Sequence, residues 1–478
     1  MKRSISENAM LIKRRMPSED ILSFSFTTRN GTACKLFYAD GIVDKEMMGR
    51  LVITPLTAYG GTIGKAEIME AIAFPEVKTA NRMEQLEKEI AEGNPVLFVD
   101  GIATGFIVGT KKVPVRAITE PQTGLVTKGP RAGFIEDVKT NMAQVRLRFK
   151  TGKLRFLNLK LGKQSQTNVA ICYLDGIAKE TVVREIEERL QSFEIDAIPD
   201  SSYVGRFLCQ GQSLFKRIGT TEKPDVFAAR IAEGRVGVLV DGSPVALTLP
   251  YLLLEDFQSA EDYFVNPVRA SFTRLLRFAV ATLAVLLPAL YVSAQLFKLQ
   301  LIPLPLLLTI ASSIQGLPLS PSLELFLTLT VLELLMEASV RMPKYVGLAL
   351  SVVGALTLGD TAVNAGILST PAVILVAFSG IALYTVPDLV ETTSPLRLIA
   401  LIVAGSIGTY GIVTGALFLL VALVGEEQYG SPLLAPFSPM KANDLKDSLV
   451  RASLPALDRR PRSIGSKNRI RFKETTCN

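Results

Sequence analysis

Glu333, Glu337 and Arg341 recur every fourth residue within a stretch otherwise almost free of charge, and on a helix that spacing stacks them, with Thr330 nearby, into one polar stripe. Ionised groups are costly among apolar neighbours, so such a stripe has two physical uses. It can line a wet passage that attracts cations, or it can lie at an interface where Glu337 and Arg341 simply pair. Both readings stay open. Glu324 falls nine residues before Glu333 and points to the other side of the same helix; Asp360, between Gly359 and Thr361, is a further ion-pathway candidate or the end of a span reaching headgroups. Most covalent chemistry is excluded by what is missing. With no histidine in 478 residues there is no Ser-His-Asp or Cys-His nucleophile and no imidazole-ligated zinc. Cys34, Cys172, Cys209 and Cys477 form no C-x-x-C pair and read as reduced thiols, and neither G-x-x-x-x-G-K-[ST] nor G-x-G-x-x-G occurs. The expectation is a protein that is not an enzyme and uses no cofactor or metal.

The elements that must carry those carboxylates are apolar. Hydrophobic residues make up 48% of the chain and mean hydropathy is +0.32, high for a soluble protein. Charge is unevenly spread: residues 278 to 424 hold four basic and six acidic side chains, against 38 and 33 in residues 1 to 277 and ten and six in 425 to 478. Residues 278 to 297 run for 20 without a charge behind Arg269, Arg274 and Arg277, long enough to cross a bilayer with the basic end inside. Residues 398 to 424 run for 27, with Gly405, Gly408, Gly411 and Gly415 placed for close helix approach, and read as the strongest span. Shorter apolar stretches between them bring the expected number of crossings to four to six. MKRSISENAMLIKRRM has no apolar h-region, so the front half is expected to stay cytoplasmic. The basic end, RRPRSIGSKNRIRFK (459 to 473), reads as a membrane-surface tail rather than a nucleic-acid domain.

The front half contains a duplication. Residues 90 to 108, IAEGNPVLFVDGIATGFIV, align without a gap on 231 to 249, IAEGRVGVLVDGSPVALTL, and YADGIVDKEMM (38 to 48) aligns on YLDGIAKETVV (173 to 183). Each copy reads as a strand ending in Asp-Gly (Asp40-Gly41; Asp175-Gly176), helical material, then a hairpin turning at a second Asp-Gly (Asp100-Gly101; Asp241-Gly242). Aspartate before glycine is ordinary turn chemistry, preferred here to metal binding. RMEQLEKEIAE (82 to 92) and TVVREIEERLQSF (181 to 193) read as amphipathic helices. Between the copies EPQTGLVTKGPRAGF (120 to 134) is a linker or docking loop, with Pro121, Lys128, Pro130 and Arg131 as subunit-docking candidates; anion binding by Lys128 and Arg131 is a weaker alternative. Arg146, Arg148 and Lys150 alternate with Val145, Leu147 and Phe149, which predicts a strand.

The linker, TNVAICYLDGIA (167 to 178), TEKPDVFAARIAEGRVGVLVDGSPVALTLP (221 to 250), FQSAEDYF (257 to 264), LLPALYV (286 to 292), ELLMEA (333 to 338) and LAPFSPMKANDLKDSLVRA (434 to 452) resemble, in order, the A subunits of bacterial spore germinant receptors, the GerA family. The resemblance implies a multi-pass protein of the spore inner membrane that works with a transporter-like B subunit and a lipoprotein C subunit. It implies a homo-oligomer, a pentamer, forming a nutrient-gated channel for monovalent cations, with the front domain and C-terminal tail cytoplasmic. A related stage V sporulation protein shares most of these motifs without its own nutrient and is not separated from the receptors by them.

The resulting fold class is a duplicated α/β soluble N-terminal domain followed by an all-α polytopic membrane domain. Its expected boundaries are an N-terminal tail (1–30), module copy 1 (31–119), linker or docking loop (120–140), copy 2 (141–264), membrane domain (265–425) and basic cytoplasmic tail (426–478). A non-conducting membrane scaffold remains as an alternative; a secondary transporter is disfavoured because the repeat lies in the soluble half.

Overall fold

The computed structural model describes residues 1–471 apart from 62–63, 73, 113–127, 210, 212, 344–345, 348–351 and 355. The duplication has one consequence throughout the front half: two five-stranded antiparallel sheets with the same strand order. In the first, β1 (Ile21–Thr27), β2 (Ala33–Ala39), β3 (Val77–Ala80), β4 (Val96–Val99) and β5 (Gly105–Val108) lie in the order β1-β2-β4-β5-β3. In the second, β6 (Leu154–Leu161), β7 (Thr167–Leu174), β8 (Gly219–Thr221), β9 (Val236–Val240) and β10 (Ala246–Leu249) lie as β6-β7-β9-β10-β8. Helices cover both faces of each sheet, which is why the central strands are apolar at every position. Leu97 and Val99 face one core with Leu36 and Phe106, while Val96 and Phe98 face another with Ile12, Leu86 and Ile90.

The repeat unit begins earlier than the sequence match reveals. Residues 1–30, expected to be a tail, supply the helix Ile5–Arg15 and edge strand β1, matching the helix Val138–Arg148 and β6 of the second copy. The second-turn aspartates tie these helices down symmetrically. Asp100 Oδ1 accepts the Ile5 amide at 3.1 Å and Asp241 Oδ1 accepts the Val138 amide at 3.2 Å. The adjacent glycine amides, Gly101 and Gly242, donate to Arg3 and Glu136 carbonyls in both copies. The Asp-Gly pairs are thus turn and capping devices; Gly101 and Gly242 hold φ of 85° and 83°, the left-handed region that favours glycine.

The predicted strand at 145–150 is a helix up to Arg148. Over six residues the alternation mimics a strand, but Val138, Met142 and Val145 recur at helical spacing and pack into the second module's core, and Asp137 caps the start by accepting the Thr140 amide at 2.8 Å. Arg146 is consequently buried, not solvated. Its guanidinium makes a two-point contact with Asp20 (2.6 and 2.9 Å) that locks the first module onto the second. The helices predicted near 82–92 and 181–193 form as Met83–Glu92 and Glu180–Ser192, the latter burying Val182, Val183, Ile186 and Leu190.

The apolar part is a helical bundle built around Pro267–Phe297, with Leu304–Ile314, Pro321–Arg341, Thr370–Leu383, Val390–Ile407 and Thr409–Gly425. Among the described residues two helices, Pro267–Phe297 and Pro387–Ile407, are long and apolar enough to cross a membrane. The 27-residue run at 398–424 is not one span. Gly408, at φ 72°, breaks it, and a Cβ on Gly411 would fall 2.8 Å from Val403, so the two halves fold back as a hairpin. Gly405 does allow close approach, lying against Ser322, whereas Gly415 faces open space.

The expected membrane-surface tail instead wraps the second module. Tyr429 enters its core and donates to the Leu208 carbonyl at 2.7 Å, Arg460 Nε donates to the Ala232 carbonyl at 2.6 Å, and Lys467 pairs with Glu180. Arg460 is half-buried by its contact, while Arg459, Arg462, Lys467, Arg469 and Arg471 lie on the surface of this wrapped segment.

Candidate functional site

Two polar constellations sit in and beside the helical bundle. The first is the interior of the bundle. Glu333 accepts hydrogen bonds from Ser394 and from Arg397, whose side chain is fully buried. Arg397 Nη1 donates to Ser379 Oγ at 2.9 Å, and Ser379 Oγ donates to the Ala284 carbonyl at 2.6 Å. One chain of polar contacts therefore joins four helices: Pro321–Arg341, Val390–Ile407, Thr370–Leu383 and Pro267–Phe297. Such a network is strong where water is scarce and costly when half satisfied.

The other carboxylates do not join it. Glu324 is buried, but accepts the amide of Ser369, the cap of Thr370–Leu383, so its charge meets a helix N-terminus. Glu337 pairs with Arg341 at 2.7 Å with side chains 61% and 78% exposed, and Asp360 accepts from Asn364 Nδ2 at 2.9 Å on an exposed surface. The stripe read from the sequence is thus divided: Glu333 inside, Glu337 and Arg341 outside. Of the docking candidates, Lys128, Pro130 and Arg131 are exposed, and Gly129 lies against the Phe264 ring; Pro121 lies outside the described residues.

The second constellation is the junction between module and bundle, and it was not singled out from the sequence. Asp262 binds both Arg274 Nε (2.9 Å) and Arg277 (2.9 Å to each oxygen). Arg274 reaches on to Asp447 at 2.8 Å, Tyr263 Oη donates to Asp447 at 2.9 Å, and the Tyr263 ring is flanked by Arg274 and Arg451, each 5.3 Å from its centroid. Burial alone would raise the Asp262 carboxyl, but hydrogen bonds from Arg277, the Ser259 amide and Arg274 outweigh it and its pKa is lowered. The signal was present: FQSAEDYF and LKDSLVRA flank the apolar block on opposite sides, and Arg274 and Arg277 do more than precede an uncharged run. Arg397, at the front of an uncharged run, was likewise passed over.

Beside this network lies a cavity of about 500 Å³ whose lining includes Thr220, Lys223, Arg230, Asp256, Arg277 and Asp388. Asp256 accepts the Tyr251 hydroxyl, and burial pushes its carboxyl up to about 7, with Asp388 and Glu255 adding to the rise and Lys216 and the hydroxyl opposing it. Among the described residues no group of three or more Cys, Asp or Glu could hold a metal ion. Cys34, Cys172 and Cys209 are free thiols, Cys34 pushed up to about 11 by burial and so an inert neutral side chain, while Cys477 lies outside the described residues. The arrangement makes fixed charges and mechanical links between segments.

The family described as Bacillus/Clostridium GerA spore germination protein matches residues 9–463. The chain belongs to the GerA family. GerA-type relatives from Bacillus subtilis (strain 168) include spore germination protein KA, 33% identical over 91% of this chain and 81% of its own length, and spore germination protein B1, 32% identical over 98% of both. An uncharacterized membrane protein of the same organism, YfkQ, is 33% identical over 94% of this chain and 89% of its own length. The N-terminal domain of the A subunit of the Bacillus megaterium germinant receptor GerK3 is similar at 31% identity, covering 53% of this chain and 97% of that one, with a TM-score of 0.42. Both junction motifs, around Asp262 and Asp447, fall inside the matched GerA region.

Proposed function

We propose that this GerA-family chain is the A subunit of a germinant receptor in the spore inner membrane, crossing the bilayer several times and assembling in several copies, as a pentamer, into a nutrient-gated channel for monovalent cations. A transporter-like B subunit and a lipoprotein C subunit complete the receptor, and the nutrient signal reaches the pore through subunit contacts. The observation that carries this reading is the division of charge on the bundle. Glu324 and Glu333 are taken up internally, but Glu337 and Arg341 remain exposed on the flank of an apolar bundle. Hydrocarbon does not tolerate such a pair, whereas copies arranged about an axis give it water and a neighbour. Arg341 also ends its helix, which favours a second reading, a non-conducting scaffold with the pair at headgroup level.

Under the channel reading the junction couples the parts. Asp262, Arg274 and Asp447 join the end of the second module, the first bundle helix and the C-terminal segment, so a shift in that module bears on the bundle. The test uses spores that depend on this chain. Glu337→Gln is expected to slow nutrient-triggered cation release, and co-expression of the variant with the parent is expected to interfere dominantly. Unchanged release from a variant present at parental level removes Glu337 from the pathway.

A further inference from the structure

The second module carries an aromatic edge on the segment 201–217. On the helix Ser201–Leu208, Val204 and Leu208 face the core, while Tyr203 and Phe207, one turn apart, are 44% and 38% exposed with exposed Arg206 beside them. Phe207 stacks on Phe193 with centroids 3.7 Å apart, and Leu214 is exposed further along.

Polar contacts fix the level of this edge against the bundle. Tyr429, just past the helix Thr409–Gly425, donates to the Leu208 carbonyl. Ser213 Oγ and Arg217 Nε hold Glu426, the first residue after that helix, at 2.6 and 3.0 Å. Thr392 Oγ1, at the start of the hairpin's other arm, donates to the Leu214 carbonyl at 3.0 Å, and Lys216 pairs with Asp388 at 3.0 Å. The edge therefore sits where both arms of the hairpin end. The flank of that hairpin is apolar to its last turn, with Phe418, Val421 and Val424 all exposed.

We propose that Tyr203, Phe207 and Leu214, with Arg206, form a lipid-contacting edge that rests in the headgroup layer of the membrane leaflet reached by the two hairpin ends. The inference rests on the membrane reading above and adds a contact it does not contain. Aromatic rings beside a basic side chain, continuous in level with an apolar belt, are the composition that partitions to the headgroup boundary, and Arg206 suits anionic lipid. Lys216 and Arg217 already neutralise the nearby Asp388 and Glu426, so the edge does not repel such headgroups.

The chain contains no tryptophan, so one substitution makes a single reporter. Full-length Phe207→Trp, reconstituted in vesicles of phosphatidylcholine and phosphatidylglycerol, is compared with Phe418→Trp on the hairpin flank and Phe24→Trp on β1 of the first module; Leu214→Trp serves if Phe207→Trp does not fold. Blue-shifted emission from Phe207→Trp, quenched roughly twofold by acyl-chain-brominated lipid as at Phe418→Trp, while Phe24→Trp is unaffected, is the expected result. Emission at Phe207→Trp that matches Phe24→Trp overturns the proposal. So does a blue shift insensitive to bromination, which means that protein, such as a second copy, covers the edge. No quenching at Phe418→Trp overturns the membrane reading and the proposal with it.

Discussion

Replacing Glu333 by alanine strips a fully buried guanidinium of its carboxylate. Arg397 keeps only Ser379 as a hydrogen-bond acceptor, because its Nε already has no hydrogen-bond partner among the described residues. A buried charge left unpaired costs about 3–5 kcal/mol. The reverse change, Arg397→Met, is expected to cost less, about 1–3 kcal/mol, because the Glu333 side chain is 26% exposed and recovers some hydration. The double variant Glu333→Leu/Arg397→Met replaces both charges with apolar bulk and is expected within about 1 kcal/mol of the parent. Chemical unfolding of the detergent-solubilised chain gives the three differences, and the cycle isolates the pair. Single variants that each cost under about 1 kcal/mol, as for a solvated ion pair, or a double variant equal to the sum of the singles, would refute the reasoning.

Three further predictions concern the soluble half. An ordinary aspartate titrates near 3.8, but Asp256 holds its proton to about 7, so the folded state binds the proton more tightly. Stability from this site is complete below about pH 4 and lost as pH rises through 7, by at most about 4 kcal/mol; Asp256→Asn should flatten that slope between pH 5 and 8 in unfolding experiments. Asp100→Ala and Asp241→Ala each remove a cap from the first helix of a module and should cost about 1 kcal/mol apiece, additively because they lie in different modules; unequal effects in thermal unfolding would break the symmetry. Asp20→Ala leaves Arg146 buried without its carboxylate and should cost about 3–5 kcal/mol, read as earlier proteolytic cleavage between the modules.

The duplication was legible in the sequence because its identities sit at the Ile-Ala-Glu-Gly helix ends and the Asp-Gly turns, where glycines at positive φ (Gly93, Gly234, Gly101, Gly242) restrict the residue. Its first helix was not, since Ile5–Arg15 and Val138–Arg148 share a capping role but only two of eleven letters, Asn8 with Asn141 and Arg15 with Arg148. Arg146 shows how a short window misleads: alternation over six residues looks like a strand until the helical spacing of Val138, Met142 and Val145 is included. The polar stripe was legible as spacing, but partners decide function. Nothing local to Glu333 announces Arg397, 64 residues later, and nothing local to Arg274 announces Asp447, 173 residues later, because both pairs are made by tertiary packing and not along one helix. The hairpin at Gly408 was hidden by the same absence of charge that made the run conspicuous.

The direct test of the account is ion flux through the receptor assembly, reconstituted in vesicles with its partner subunits. Nutrient addition is predicted to open a potassium-permeable, chloride-excluding conductance that Glu337→Gln lowers several-fold without loss of assembled protein. An assembly that stays electrically silent, or conducts identically with Glu337→Gln, would contradict it.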